Sequence, residues 1–236
     1  MGDDDTGTRI RNGLERQLRD RQTLIAAGGR PIGWKVGFGA PAALAQFGLD
    51  GPLTGFLMAA GRLEPGAQAS LAGWAKPVAE PEVAIHIGHD LPGGSDRAAA
   101  AAAVTGLGPA IELADLHTPP VDIEEILACN IYHRHVLFGP CDTGRAGAVL
   151  DGLSGHVMRN GADFADMDDL EANTGELIGI VQRVANTLAD AGETLRAGEV
   201  IIAGSVTPPI FLEADDTEIA FGLDPVGEVS VRLTSG

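Results

Sequence analysis

The sequence predicts an α+β fold built on a largely antiparallel or mixed sheet. Short apolar segments typical of β-strands outnumber the segments with helical spacing, and the helices lie between the strands. The chain has 236 residues, of which 44% are hydrophobic. That composition suits one domain with a sizeable core, or one domain with a small N-terminal appendage.

Helix positions follow from the spacing of apolar residues and from the residues that cap or stop a helix. The clearest helix is predicted over residues 176–191, where apolar residues from Leu177 to Leu188 recur at helical spacing and Gly192 follows. Further helices are predicted over residues 10–27, 40–49 and 96–108, and one is predicted to start near Thr118 or Asp122.

Strands are predicted where short apolar segments are bounded by glycine, proline or polar residues. Residues 50–75 are rich in Gly, Pro and Ala and are predicted to form loops and short strands, and residues 141–175 are predicted to contain one strand. The predicted strands cover residues 32–38, 83–88, 109–116, 135–140, 155–161, 199–205, 217–223 and 227–233.

The charge balance argues against several classes of partner. The chain has 33 acidic and 16 basic residues, which gives a formal net charge of −17. Such an acidic protein is unsuited to nucleic acid or an anionic membrane as its main partner. No apolar run could span a bilayer, and the N-terminal residues lack the core of a signal peptide. We therefore expect a cytoplasmic protein, with too few cysteines for a disulfide framework or a Cys-rich metal site.

Two glutamates open the strand in "KPVAEPEVAIHIGHDL". Glu80 and Glu82 flank Pro81 and would point to the same face of an extended strand. Two carboxylates so close repel each other, and water, a protein cation or a metal ion must offset that repulsion.

A third carboxylate, Glu112, stands alone among apolar and small residues in "PAIELADL". Three glutamates that converge would form an oxygen-ligand site for Mg²⁺ or Mn²⁺. The alternative is structural: Glu80 and Glu82 would line a solvated face, and Glu112 would pair with an arginine.

Three other segments allow both a functional and a structural interpretation. Lys35 in "GWKVGF" is either a cation of the site or an exposed lysine of an edge strand. The segment "GSVTPP", residues 204–209, is either a cradle for an anion or an ordinary turn. The histidines of "YHRH", His133 and His135, are either bases or part of a solvated loop.

Several motifs occur in one order along the chain: "GWKVGF", "AEPEVAIHIGHDL", "GPAIELADLH", "VMRNG", "VANTLADAGETLRAGEVIIAGSVTPP" and "VGEVSVRL". Together they resemble the hydratase/decarboxylase branch of the fumarylacetoacetate hydrolase superfamily, which includes 2-keto-4-pentenoate hydratases and 4-oxalocrotonate decarboxylases. The resemblance covers roughly residues 30–234. The third carboxylate is a glutamate, as in the hydratase branch.

The resemblance implies a mixed β-roll of the fumarylacetoacetate hydrolase C-terminal type with peripheral helices. Residues 1–30 would form an N-terminal helical segment, and residues 31–236 a single catalytic domain. It also implies Mg²⁺ or Mn²⁺ as the cofactor, held by Glu80, Glu82 and Glu112.

The implied substrate is a small 2-oxo acid or its 2-enol, which reacts through a metal-stabilised enolate. Lys35 would act in catalysis, either by orienting the substrate or by moving a proton, which requires a lowered pKa. A homo-oligomer is expected, with a complex with an enzyme of the same pathway as a further expectation. The implied substrate-binding residues are Ser205, Thr207, Asn130, His117 and Tyr132.

The chain departs from the family pattern at four positions. Thr54 replaces an acidic residue, Cys129 and Tyr132 replace an acid and a serine, and His117 replaces an arginine. A hydroxyl cannot replace a carboxylate base at neutral pH. The three glutamates and Lys35 are retained. The main hypothesis is therefore a metal-dependent lyase acting on a 2-oxo acid, of the 2-hydroxy-2,4-dienoate hydratase type. The alternatives are a vinylogous 2-oxo acid decarboxylase, an acylpyruvate hydrolase, or a non-catalytic partner subunit of a related enzyme.

Overall fold

A computed structural model describes residues 3–235, with side chains from residue 6 onward. Among these residues, no helix combines the length and the apolar character needed to cross a bilayer. The α-helices are α1 (Asp3–Ala26), α2 (Pro41–Phe47), α3 (Arg97–Ala103), α4 (Ile123–Ala128) and α5 (Leu177–Asp190). Short 3-10 helices cover Ala59–Gly61, Asn130–Tyr132 and Thr143–Arg145.

The strands form two sheets. They are β1 (Pro31–Gly37), β2 (Leu53–Met58), β3 (Arg62–Leu63), β4 (Gln68–Ser70), β5 (Pro77–Ile87), β6 (Val104–Asp115), β7 (His133–Phe138), β8 (Ser154–Arg159), β9 (Ala162–Met167), β10 (Val200–Ser205), β11 (Ile210–Phe211), β12 (Glu218–Asp224) and β13 (Gly227–Thr234).

The larger sheet has the order β2-β1-β10-β5-β6-β7-β3, with β11 beside β5, and the smaller sheet has the order β4-β13-β12-β8-β9. The pairs β1–β10, β3–β7 and β4–β13 are parallel, and the remaining pairs are antiparallel. The predicted α+β class with a mixed sheet is confirmed.

Both faces of the larger sheet are buried at its centre. One face of β5 and β6, with Val83, Ile85 and Ile111, belongs to the main hydrophobic core, which also contains the apolar side of α5. On the opposite face, Ala84 and Ala110 belong to a small separate cluster. Alternate strand residues point to opposite faces, so Glu80, Glu82 and Glu112 share the face of these alanines.

The helix predicted over residues 96–108 is wrong beyond Ala103. From Val104 the chain is the start of β6, paired antiparallel with the end of β5. Val104 and Leu107 are almost fully buried there. The β-branched residues and glycines of this segment are poor helix formers, and the cross-strand partners decide the outcome.

Two other segments refine the predictions. Strand β9 lies inside residues 141–175, where only β8 was predicted, and its side chains are mostly exposed, without a buried alternation. Asp122, one of the two proposed starts, caps α4, because its carboxylate accepts from the backbone N–H groups of Glu124 and Glu125.

Helix α1 is longer than predicted and packs on α4. The side-chain amide of the fully buried Gln17 donates to the carbonyls of Thr54, at 3.2 Å, and Leu127, at 2.9 Å. Gly13 lies against α4, where an added Cβ would come within 2.7 Å of the carbonyl oxygen of Glu124. The division into residues 1–30 and a catalytic domain of residues 31–236 stays a prediction.

The helix packing gives opposite expectations for two glycines of α1. Gly7→Ala should raise the free energy of unfolding by up to about 1 kcal/mol, because alanine is the better helix former and nothing lies within 4 Å of the added methyl group. Gly13→Ala should instead lower it by about 1–3 kcal/mol, because the methyl group overlaps α4. Urea unfolding followed by circular dichroism measures both changes. Equal effects of the two variants would contradict this packing.

Candidate functional site

Three carboxylates meet on neighbouring strands. Glu80 in β5 lies directly opposite Glu112 in β6, and Glu82 lies opposite Ala110. One carboxylate oxygen from each glutamate lies within 4.8 Å of one from each of the others. Glu82 and Glu112 are fully buried, whereas Glu80 is partly exposed. The convergence predicted from the sequence is present.

Pro81 lies between the two glutamates, where β5 changes its partner strand. β10 pairs with β5 from Glu82 onward, and β11 pairs with the start of β5. Proline has no N–H to donate, and its carbonyl accepts from the backbone N–H of Val206 at 2.8 Å. A proline is therefore tolerated inside the sheet, and both glutamates keep the same face.

A buried lysine balances part of this charge. The ammonium of Lys35 lies 2.6 Å from Glu112 Oε1, and both side chains are at most 1% exposed. It also donates to the carbonyl of Ile131 at 3.3 Å. Lys35 is therefore not an exposed edge lysine, and the cation beside Glu112 is not an arginine. Opposite Lys35 stands Gly55, whose added Cβ would lie 2.9 Å from the lysine Cγ.

Further hydrogen bonds fix two of the carboxylates. His133 Nδ1 lies 2.7 Å from the same Glu112 Oε1, and the imidazole is 7% exposed. The backbone N–H of Gly204 donates to Glu82 Oε2 at 2.6 Å. Gly204 lies in a register shift of β10 and has a φ of +88°, a conformation that favours glycine.

Two carboxylate oxygens remain for a ligand. Glu82 Oε1 and Glu112 Oε2 are buried and have no hydrogen-bond partner among the residues that the structure describes. Buried polar atoms are rarely left in this state. Together with the carboxylate of Glu80, these two oxygens match the oxygen ligands that Mg²⁺ and Mn²⁺ prefer. The residues present therefore fit a divalent metal ion.

The protonation behaviour of the glutamates reflects their crowding. Burial, followed by the charge of Glu112, raises the pKa of Glu80 to about 7. Burial and the two neighbouring carboxylates raise the pKa of Glu82 well above its usual value. Burial also opposes ionisation of Glu112, but Lys35 and His133 lower its pKa. One carboxylate thus stays ionised beside the cation while the other two favour a proton.

Proton transfer by Lys35 would require a lowered pKa, and the structure shifts this pKa in the opposite direction. Burial by itself would lower the pKa of its ammonium, but attraction to the three carboxylates raises that pKa above its usual value. A lysine held in the charged form orients an anion better than it accepts a proton.

Of the three glutamates, Glu80 lines a cavity of about 360 Å³. Lys35, Glu80 and Ser205 contribute polar groups to it, and Thr207 also lines it. The other walls come from the end of β1, from α2 and from the segment after β6. The apolar side chains among them include Val36, Phe38, Ala43, Ala114, Leu116 and Ile131.

The segment proposed as an anion cradle lies at this cavity. Ser205 Oγ is buried without a hydrogen-bond partner among the described residues, whereas the hydroxyl of Thr207 donates to the carbonyl of Pro208 at 2.9 Å. The amide of Asn173 donates to the carbonyls of Ser205, at 2.7 Å, and Thr207, at 3.0 Å, and holds the segment. Sequence reasoning missed Asn173, which lies in a polar stretch without periodicity.

Two predicted substrate-binding residues lie outside the cavity lining. Asn130 accepts from the backbone N–H of Phe56 at 2.8 Å and donates to its carbonyl at 2.9 Å, so its amide holds β2. His117 is exposed, and its Nδ1 lies 3.0 Å from the carbonyl oxygen of Asp115. Tyr132 does line the cavity, and its ring contacts His117 edge-on. Substrate contacts of Asn130 and His117 stay predictions.

The backbone around these residues is unusual. Asn130, Ile131 and Tyr132 have φ values of +54°, +51° and +62°, so three consecutive residues adopt the left-handed conformation. This conformation is strained for a β-branched residue such as Ile131. The turn directs the carbonyl of Ile131 to Lys35 and the ring of Tyr132 to the cavity. Thr54, which stands where the family pattern has an acidic residue, is buried in β2. Its hydroxyl has no partner among the described residues.

Comparison with solved structures identifies the fold. The structure of 4-oxalocrotonate decarboxylase from Pseudomonas putida G7, complexed with magnesium and adipate, superposes with a TM-score of 0.85 at 24% identity. The match covers 95% of this chain and 86% of the other. It confirms the β-roll with peripheral helices that the sequence resemblance implied.

Comparison with characterised sequences identifies the family. No protein-family profile matches the chain. A 4-oxalocrotonate decarboxylase of a Pseudomonas species is 28% identical over 218 residues, which cover 89% of this chain and 81% of the relative. A 2-hydroxyhexa-2,4-dienoate hydratase of Comamonas testosteroni is 30% identical over 214 residues, which cover 89% and 80%. The chain therefore belongs to the hydratase/decarboxylase branch of the fumarylacetoacetate hydrolase superfamily.

Proposed function

We propose that this protein is a divalent-metal-dependent lyase that acts on a small 2-oxo acid or its 2-enol, as a 2-hydroxy-2,4-dienoate hydratase does. The observation that carries the proposal is the cluster of three carboxylates beside a buried lysine and at the end of an apolar cavity. In this cluster, Glu82 and Glu112 each have a buried oxygen without a partner among the described residues. A structural scaffold has no need of three crowded carboxylates.

Glu80, Glu82 and Glu112 would hold Mg²⁺ or Mn²⁺. When bound, the cation supplies an electrophile that stabilises negative charge on the 2-oxygen of the substrate. The chain fixes the ligand geometry: the Gly204 N–H occupies one oxygen of Glu82, and Lys35 and His133 share one oxygen of Glu112. The second oxygen of each carboxylate is left for the ion.

The polar end of the cavity would receive the substrate head. Ser205 Oγ can donate to the substrate carboxylate, and the charged Lys35 adds attraction for an anion. His133 Nε2 is buried without a partner among the described residues, but His133 does not line the cavity, and its Nδ1 lies against Glu112 Oε1. We therefore assign His133 to the positioning of Glu112. The reaction also requires a proton to move as an enolate forms or collapses.

Decarboxylation is the second candidate reaction, and Thr54 is the observation that favours it. A hydratase must activate water, and the hydroxyl that replaces the family's acidic residue is a poor base. Loss of CO₂ from a vinylogous 2-oxo acid requires the same head site and no activated water.

A homo-oligomeric assembly, a complex with a pathway enzyme and a cytoplasmic location are further parts of the proposal.

The shared enolate step gives the first test. In D₂O with Mg²⁺, the protein should exchange the C3 protons of 2-oxopentanoate faster than a solution without enzyme, because a stabilised enolate lowers the barrier to proton loss. NMR measures the loss of these protons, and EDTA should abolish the enhancement. Folded protein that gives no exchange with either Mg²⁺ or Mn²⁺ would favour the partner-subunit alternative.

Removal of one proposed ligand separates metal binding from folding. Glu82→Gln should weaken Mn²⁺ binding by more than about 100-fold and abolish exchange, because an uncharged amide is a poor ligand for a hard cation. Its fold should persist, because the amide oxygen can still accept from Gly204. Calorimetric titration measures Mn²⁺ binding, and circular dichroism measures whether the fold persists. Glu228→Gln, at an exposed position of β13, is the matched control. Tight binding by Glu82→Gln would refute the ligand assignment.

The raised pKa of Glu80 predicts a pH-dependent effect of the metal. Between its ordinary pKa of 4.5 and the folded value of about 7, the folded metal-free protein binds more protons than the unfolded chain. This group therefore lowers the free energy of unfolding as the pH rises through that window. Mg²⁺ replaces the proton, so its stabilising effect should be greater above about pH 7 than near about pH 5.

Thermal unfolding with Mg²⁺ or EDTA at the two pH values measures this difference. Glu80→Gln should remove this group's share of the pH dependence of the metal-free protein. An equal gain in melting temperature from Mg²⁺ at both pH values would contradict the proposed competition between proton and metal.

A further inference from the structure

We propose that the cavity selects 2-oxo acids with an uncharged apolar tail and rejects those with a second carboxylate at the far end. The inference rests on the proposed function, because it takes the carboxylate cluster as the site of the substrate head. It adds a substrate class to that function: the monocarboxylic 2-oxo acids and their 2-enols. It also favours hydration over vinylogous decarboxylation, because the carboxylate lost in that decarboxylation lies at the far end of the substrate.

The polar groups with spare capacity gather at one end of the cavity. Glu80 and Ser205 lie in neighbouring strands, because Ser205 pairs with Glu82 across β10 and β5. The hydroxyl of Ser205 has no partner among the described residues, and Lys35 is held beside the same carboxylates. A 2-oxo acid head can satisfy these groups, which fixes the direction in which the tail points.

The walls beyond this end are apolar. Phe38, Leu116 and Ile131 line the cavity, and α2 adds the small side chains of Ala42 and Ala43. Leu116 and Ile131 pack in a small hydrophobic cluster between β2, α4 and the 3-10 helix Asn130–Tyr132, so packing fixes their positions. A tail of methylene or vinyl groups gains from burial against such walls.

The polar lining residues away from the head are already engaged. The amide N–H groups of Asn173 bond to two backbone carbonyls, and the hydroxyl of Thr174 donates to backbone carbonyls as well. The hydroxyl of Tyr132 bonds to Thr118. Gln46, an exposed residue of α2, is the remaining uncharged polar side chain among the lining residues and lies at the mouth.

No cation is placed to receive a second carboxylate. Among the lining residues, all of which the structure describes, Lys35 alone is cationic, and its ammonium is already bonded to Glu112. His117, at the position where the family pattern has an arginine, is exposed and outside the lining. A distal carboxylate would lose its hydration among apolar walls without a compensating charge, near a cluster of three glutamates.

The test compares 2-oxohexanoate with 2-oxoadipate, which has the same carbon chain but ends in a carboxylate instead of a methyl group. With Mg²⁺ in D₂O, the C3 protons of 2-oxohexanoate should exchange at least about tenfold faster at equal subsaturating concentrations, a difference of about 1.4 kcal/mol. Calorimetric titration of each acid into the Mg²⁺-loaded protein gives the same comparison as affinities.

A variant at the mouth tests the cause of the selectivity. Gln46→Arg should raise the exchange rate of 2-oxoadipate severalfold, because it supplies the missing cation. The ratio of the 2-oxohexanoate rate to the 2-oxoadipate rate should therefore fall. Gln46→Met is the uncharged control of similar length and should leave 2-oxoadipate disfavoured.

The outcomes separate the two proposals. Equal rates and affinities for the two acids in the wild-type protein would overturn the selectivity and leave the metal-dependent enolate chemistry intact. Absence of exchange and of binding for both acids would overturn the proposed function and the selectivity with it. A wild-type preference that Gln46→Arg fails to narrow would show that the missing cation is not its cause.

Discussion

The repulsion among three carboxylates is the constraint on which the site depends. Glu80 and Glu112 face each other across two strands, and Glu82 is one alternation further along. The three carboxylates are not neutralised equally. Glu112 bonds to both Lys35 and His133, whereas the pKa values of Glu80 and Glu82 are raised. The strands thus bring together more negative charge than Lys35 balances, and we propose that a divalent cation supplies the missing positive charge.

The strand framework and the metal-ligand candidates could be predicted because they depend on short-range rules. The two-residue alternation places Glu80 and Glu82 on one face wherever that strand lies. A glutamate among apolar residues, such as Glu112, indicates a partner or a ligand in any fold. Likewise the apolar spacing of residues 176–191 predicted α5 to within one residue at each end. None of these inferences needs the partner strands.

What the sequence did not predict depends on contacts between distant residues. The segment after Ala103 becomes a strand because β5 offers it partners. Its glycines and β-branched residues disfavour a helix, but they do not identify those partners. His133 was recognised as a candidate base, but only the β6–β7 pairing brings its ring to Glu112. Asn173 bonds only to backbone carbonyls of residues more than thirty positions away. The charged state of Lys35 likewise depends on carboxylates from two other strands, so its residue type alone could not give the direction of its pKa.

The position of β10 has a consequence for the order in which the protein folds. β10 lies between β1 and β5 in the sheet, although its residues come more than a hundred positions after both the lysine and the first two glutamates. A nascent chain can pair β5 with β6 before β10 exists, but β1 then has no strand to join it to them. Lys35 therefore meets its carboxylates only when a late, non-local strand is inserted, and contacts of that kind form slowly. Until then the glutamates depend on water or protons for their neutralisation.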